Sequence, residues 1–286
     1  MREELKRVEG LKKLRLKIKA ILEGTLLGTH KSPLHGFSSE FVEHRGYSPG
    51  DDIRMIDWKV FARKERFYTK KFSEETNSNI YFLLDSSKSM DFGNPSKFEY
   101  AKVLIGSLSF IFYLQRDSPS LYVFSDNQKL FIPPSTKRAN LEKILDTLED
   151  LKPGGKTESK DFFLYLSQII KKKSITFLFT DYYHKPNDFI MGLKFLRSKG
   201  NKVYSVRLIC NEDYNLPKNP PFILIDLETH KEIAVNEKNL WDEFKKKLTE
   251  FDKNLYETIV KSGIKNLVIN INESYEKNLI MILRSL

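Results

Sequence analysis

Cysteine is almost missing. Among 286 residues the sole thiol is Cys210, so no disulfide can form within the chain and stability must come from a packed core. Cys210 closes the apolar run Val203–Cys210, a setting in which a thiol behaves as a small buried hydrophobe, and its isolation fits a reducing compartment. Long apolar runs are missing too. Met1–Gly24 alternates Lys and Arg with Leu, Val and Ile and contains no uninterrupted signal-type segment, and no later stretch approaches the length of a membrane span; a cytoplasmic location is expected. The motifs of the common hydrolases and nucleotide binders are also absent: there is no Gly-x-Ser-x-Gly, no His-Glu-x-x-His and no Gly-x-x-x-x-Gly-Lys-Ser/Thr loop. His30, His35 and His44 have no cysteine beside them and match no standard zinc spacing.

What is present describes a well-filled globular protein. Hydrophobic residues make up 40% and charged residues 30%, with 21 Phe and 13 Tyr, a balance that excludes a disordered chain. The length suffices for one large α/β domain and an additional segment, so metal or disulfide staples are not required for folding. The net charge of +10 raises nucleic acid as a partner. The charge is diffuse, however. Residues 1–78 hold 17 Lys and Arg against 12 Asp and Glu, and Lys171–Lys173 and Lys245–Lys247 fall on helical patterns as solvated faces.

Periodicity divides the chain in two. Leu5, Val8, Leu11, Leu14, Ile18 and Leu22 recur at spacings of three and four, which predicts an amphipathic helix over residues 4–22 with a basic outer face, able to dock on its own domain or on a partner. Residues 24–78 show no clean period and are punctuated by Ser32-Pro33, His35-Gly36 and Ser48-Pro49-Gly50-Asp51; a short helix near Ile53–Ala62 and a strand at Arg66–Phe72 are the candidates there. From Asn79 apolar strands alternate with helical stretches. Strands are expected at Ile80–Leu84, Ser120–Phe124 paired with Lys129–Ile132, Ile175–Phe179, Lys202–Cys210 and Lys265–Ile271. Helices are expected near Lys97–Leu114, Arg138–Leu151, Ser159–Lys172, Pro186–Lys199, Glu237–Ser262 and Tyr275–Leu283. This rhythm predicts a doubly wound α/β fold with a mainly parallel sheet covered by helices on both faces. Phe222–Asp226 and Lys231–Val235 read as a hairpin inserted near 211–236. The expected division is therefore an N-terminal helix and irregular segment over 1–78 and the α/β domain over 79–286.

In an open parallel sheet ligands sit beyond the carboxyl ends of the strands. Ile80–Leu84 runs into Asp85-Ser86-Ser87-Lys88-Ser89, Ile175–Phe179 runs into Thr180-Asp181, and Lys152-Pro153-Gly154-Gly155-Lys156-Thr157 precedes a helix. Alternate residues of a curled loop can face one side, so Asp85, Ser87 and Ser89 can aim three oxygen groups at one point, with Thr157 and Asp181 completing the set. Such hard, weakly charged donors suit Mg²⁺, with Mn²⁺ or Ca²⁺ as alternatives. Helix capping is the competing use of the same residues, since Ser and Asp are preferred N-caps.

These residues, in this order, resemble the metal-ion-dependent adhesion site of von Willebrand factor A domains, which consists of Asp-x-Ser-x-Ser after the first strand, a later Thr and an Asp after a middle strand. The resemblance implies that Ser87 and Ser89 are direct ligands, that Asp85 and Asp181 act partly through water, and that an open position takes an acidic side chain from a partner. Tyr182-Tyr183 departs from the family, where a small residue is common after the Asp, and these rings could narrow the open face. The run from Gly28 through Glu75, with His30, Ser32-Pro33, Gly36, Glu40-Phe41, Arg45, Tyr47, Pro49–Arg54, Ile56-Asp57-Trp58, Ala62-Arg63 and Phe72, resembles the bacterial family known as domain of unknown function 58. That resemblance implies an A-like domain and a place beside MoxR-type AAA+ ATPases or their clients, and brings no agreed reaction. Arg45, Asp51, Asp52, Arg54, Asp57, Trp58 and Arg63 are the candidate partner surface; a charge network that fixes the segment structurally is the equal alternative. A metal with open positions can also activate water, so a hydrolase stands as a further reading beside the non-catalytic one.

Overall fold

The structure is a computed structural model that describes residues 14–28, 41–46, 60, 68–72, 77–126, 129–156, 166, 168–214, 222–228, 231–235 and 238–286. It divides into two compact units, His30–Asn77 and the remainder of the chain.

In the smaller unit β1 (Phe41–Gly46) pairs antiparallel with β2 (Tyr68–Phe72), with a register shift between Phe41 and Glu43. The second strand coincides with the expected one. The first was not expected, because Glu43, His44 and Arg45 break the period-two pattern; the register sets Glu43 opposite Lys71. The helix expected near Ile53–Ala62 lies outside the described residues except for Val60, which is helical.

The larger unit is built on a six-stranded sheet. Its strands are β3 (Asn79–Asp85), β4 (Ser118–Phe124), β5 (Lys129–Ile132), β6 (Ile175–Thr180), β7 (Lys202–Ile209) and β10 (Lys265–Asn270), in the order β10-β7-β6-β3-β4-β5. All neighbours are parallel except β4 and β5. β3 is buried along nearly its whole length because both its faces are covered. Phe82 meets Phe177 at 5.5 Å and Phe112 of α2 (Lys97–Leu114) at 6.2 Å between ring centroids. Tyr81 and Leu83 join the core with Leu178 and with Phe189 and Leu193 of α4 (Pro186–Ser198). Burying a Phe side chain in this way contributes about 1.5–3 kcal/mol.

The remaining helices are α1 (Leu14–Gly28), α3 (Arg138–Asp150), α5 (Lys238–Lys261) and α6 (Tyr275–Arg284). α1 docks on the α/β unit against α2, α3 and α6. The contact is close at Gly106 of α2, where a Cβ would collide with Ile18 Cδ1. α1 continues past the expected stop at Leu22 to Gly28. Gly24 does not end it, since a helical glycine costs only about 1 kcal/mol and Ile21, Leu22 and Thr25 are buried around it. Its expected first turns, before Leu14, lie outside the described residues. Of the helix expected over Ser159–Lys172, residues 166 and 168–172 are described; Leu166 and Ile170 form a helical turn (Ile170 N to Leu166 O, 2.9 Å) and enter the core. The inserted hairpin is present as β8 (Phe222–Ile225) antiparallel to β9 (Glu232–Val235). No described helix is long and apolar enough to cross a membrane.

The chain leaves β3 in one direction for β4 and β5, and then returns on the other side of β3 to lay down β6, β7 and β10. The carboxyl ends of β3 and β6 therefore flank the switch point of the sheet, which is where open α/β folds bind ligands.

Candidate metal site at the sheet switch point

β3 ends in Asp85 and β6 in Thr180, and the parallel register that pairs Leu84 with Phe179 brings the two ends together. Asp85 is fully buried. Its Oδ1 accepts from the Ser87 N–H (3.0 Å) and its Oδ2 from the Thr180 hydroxyl (2.7 Å). The loop then turns into a short 3₁₀ segment, Lys88–Asp91. The Ser87 and Ser89 hydroxyls stand 3.1 Å apart. Ser87 holds the N-cap position of that segment, but its side chain makes no capping bond, so its hydroxyl is not spent on the helix end.

Asp181 follows Thr180 and is 2% exposed. It does not cap α4, whose N-cap is Lys185. Its Oδ1 accepts from the Tyr183 N–H at 3.1 Å, while its Oδ2 is buried and accepts no hydrogen bond. A buried carboxylate oxygen that accepts no hydrogen bond costs free energy unless a cation is near, and the Lys97 ammonium stands 3.8 Å away, beyond hydrogen-bond reach. The same demand shows at Asp85: burial first, and then the charge of Asp181, push its carboxyl up to about 7 against the hydrogen bonds from Ser87 and Thr180 that pull it down. Two buried carboxylates whose charges oppose one another in this way are poised for a positive ion.

The glycine loop is tied to the same place. Gly154 N–H donates to Ser86 O (2.8 Å) and Lys88 N–H to Gly155 O (2.9 Å). Gly155 adopts φ +79°, which lets the loop turn there. Lys156 is fixed to the end of β4 by its N–H to Asp126 Oδ1 (2.6 Å) and by Asp126 N–H to its carbonyl (2.9 Å). Thr157, the next residue, lies outside the described residues. Asp85, Ser87, Ser89 and Asp181 are thus gathered at the strand ends, with the Gly154-Gly155 loop against them. A donor set of two carboxylates and hydroxyls fits a hard divalent cation that keeps some of its water. Among the described residues no three His, Cys, Asp or Glu side chains converge, and half-buried His184 belongs to no such group.

The two tyrosines part company. Tyr182, in the left-handed region at φ +64°, turns into the core, fully buried, with its hydroxyl 2.8 Å from Ser205 Oγ. Burial raises the pKa of that hydroxyl. Glycine alone would occupy this backbone conformation without the strain of about 1 kcal/mol or more, and the buried ring offsets it. Tyr183, 38% exposed, stacks on Phe251 of α5 at 6.1 Å.

Two residues beside the site carried no signal in the sequence. Lys97, at the first position of α2, is 1% exposed. Its Nζ lies 2.8 Å from Asp213 Oδ1 and 3.8 Å from Asp181 Oδ2, and 4.7 Å from the centre of the Tyr183 ring. Asp213 is held in turn, its Oδ2 accepting the Cys210 N–H at 2.8 Å. Arg207 on β7 forms a neighbouring cluster, bonded to Asp252 (2.6 Å), which also accepts from the Tyr214 hydroxyl (2.7 Å). Of the candidate partner surface, Arg45 lies on β1 opposite Thr69. Its side chain, and Asp51, Asp52, Arg54, Asp57, Trp58 and Arg63, lie outside the described residues.

Fold and site together define a doubly wound α/β domain with an oxygen-donor cluster at its switch point. The chain belongs to the family described as protein of unknown function DUF58, whose model matches residues 43–253. It is similar to the uncharacterized protein Rv1480 of Mycobacterium tuberculosis, 35% identical over 91 residues, or 32% of this chain and 29% of that protein. It is also similar to the uncharacterized protein YeaD of Bacillus subtilis, 38% identical over 55 residues, or 19% of this chain and 14% of that protein. The matches thus span less than a third of those relatives. Among solved structures it is similar to the conserved hypothetical protein BatB from Bacteroides thetaiotaomicron (15% identity, TM-score 0.48, covering 73% of this chain and 100% of that one). It is likewise similar to the SpRpn10 VWA domain (11% identity, TM-score 0.41, covering 72% and 94%).

Proposed function

We propose that this chain is a non-enzymatic, cytoplasmic interaction module that binds one divalent cation, Mg²⁺ or a close substitute, at an adhesion-type site, and grips an acidic side chain of a partner through the ion's open position. Asp85, Ser87, Ser89, Thr157 and Asp181 supply the ligands. The observation that supports this most is the bare, buried Oδ2 of Asp181 at the strand ends, next to a carboxyl whose ionisation burial opposes. When bound, the ion supplies a positive centre with a free coordination position. The chain's own part is to hold the oxygens, through the Ser87 and Thr180 bonds to Asp85 and the Gly154-Gly155 loop pinned to Ser86 and Lys88.

The partner class proposed is a MoxR-type AAA+ ATPase or its client, in the assembly or maturation of a complex. The test is co-purification of the full chain with the MoxR-type ATPase of the same genome, in Mg²⁺ and in excess EDTA. Association that needs Mg²⁺ and is lost in Asp85→Ala, with the fold retained by circular dichroism, supports the reading. Association equally strong in EDTA removes it.

A further inference from the structure

We infer that Lys97 is a tethered internal counter-ion of the metal site: it offsets the negative charge of Asp181 when no metal is bound, and thereby sets how tightly the site takes a divalent ion. This rests on the metal-binding reading above and extends it to a positioning residue outside the ligand set.

The geometry has two parts. At 3.8 Å from Asp181 Oδ2 the ammonium is close enough for a strong charge interaction in a buried setting, yet too far to hydrogen-bond that oxygen. What keeps it at that distance is Asp213, whose Oδ1 takes the ammonium at 2.8 Å, together with the faces of Tyr183 (4.7 Å) and Phe92 (5.6 Å). Asp213 is itself fixed by the Cys210 N–H. The lone pairs of Asp181 Oδ2 therefore stay free although its charge is partly compensated. A lysine serving only to bind α2 to the segment after β7 would need Asp213 alone; nothing in that role explains an aspartate oxygen left bare beside it.

This arrangement assigns opposite effects to two substitutions. Lys97→Met removes a positive charge that competes with the ion, so binding tightens. Asp213→Asn loosens the tether, so the ammonium can move onto Asp181 and cap the ligand oxygen, and binding weakens. A merely structural role would move both variants in the same direction.

The experiment has two arms, both on the full chain. Calorimetric titration with MnCl₂ is expected to give K97M an affinity at least tenfold higher than the parent, about 1.4 kcal/mol, and D213N an affinity several-fold lower. Urea unfolding in EDTA of the parent, K97M, D181N and K97M/D181N reads the counter-ion without metal: the midpoint lost in K97M should be smaller in the D181N background. Metal binding of equal strength in all chains, with no coupling in urea, overturns the counter-ion role and leaves the adhesion reading standing. Coupling in urea with no Mn²⁺ bound by any chain, K97M included, keeps the counter-ion and overturns the adhesion reading. Should K97M not fold, weaker Mn²⁺ binding by D213N supports the tether, and unchanged binding overturns it.

Discussion

Asp85→Asn is expected to make the metal-free protein more stable at neutral pH, although it removes a residue at the centre of the site. Asp85 is fully buried, and its carboxyl is raised from 3.8 to about 7 by burial and by Asp181. An acid whose value is higher in the folded state favours folding only while protonated, so stability falls as pH climbs from about 4 to about 7 and levels off above. The climb from 3.8 to about 7 corresponds to about 4 kcal/mol. Asparagine has the same shape and no charge; its amide oxygen can take the Ser87 N–H in place of Oδ1. The assay is urea unfolding in EDTA at pH 4 and pH 8. Asp117 is also raised, to about 6, by burial against its bond from the Ser78 N–H, and it gives both proteins the same slope, so the difference between them isolates Asp85. That difference should be small near pH 4 and grow to a few kcal/mol in favour of the variant at pH 8. A variant less stable than the parent at both pH values, or one with an identical pH dependence, refutes the reasoning.

Further outcomes follow from the packing. Gly106→Leu drives a side chain into Ile18 and should cost about 1–3 kcal/mol, with Ile18→Ala in the same chain recovering part of it; the urea midpoint reads both. Arg207→Met leaves Asp252 without its guanidinium partner. Because Asp252 is 25% exposed and keeps the Tyr214 hydroxyl, the loss should be about 2–3 kcal/mol, below the full cost of breaking a buried pair. Phe82→Ala empties space between Phe177 and Phe112 and should cost about 3–5 kcal/mol, read as a lowered thermal midpoint.

The strands and helices of the α/β unit were legible in the sequence because each carries its own period. The apolar runs Ile80–Leu84 and Ile175–Phe179 need both sheet faces covered, and the structure covers them. The strand-end rule then pointed to Asp85, Ser87, Ser89, Thr157 and Asp181, of which all but Thr157, outside the described residues, stand at one end of the sheet. Other features depend on tertiary contacts that leave no local trace. Lys97 looks like any lysine at a helix start, and only the fold shows that the segment after β7 brings Asp213 to it. Thr180 reads as a strand residue, yet it is the donor that fixes Asp85. Of the two tyrosines expected to narrow the open face, Tyr183 keeps the centre of its ring 4.7 Å from the Lys97 ammonium beside Asp181. Tyr182 instead takes a left-handed turn into the core, where its hydroxyl finds Ser205. β1 escaped notice because its charged residues hide the alternation that marks a strand.

The most direct measurement is anomalous diffraction from crystals soaked in MnCl₂. One peak within coordination distance of the Ser87 and Ser89 hydroxyls, beside Asp85 and Asp181 and absent from Asp181→Ala crystals, is the expected result. No peak at the ends of β3 and β6 would contradict the adhesion site.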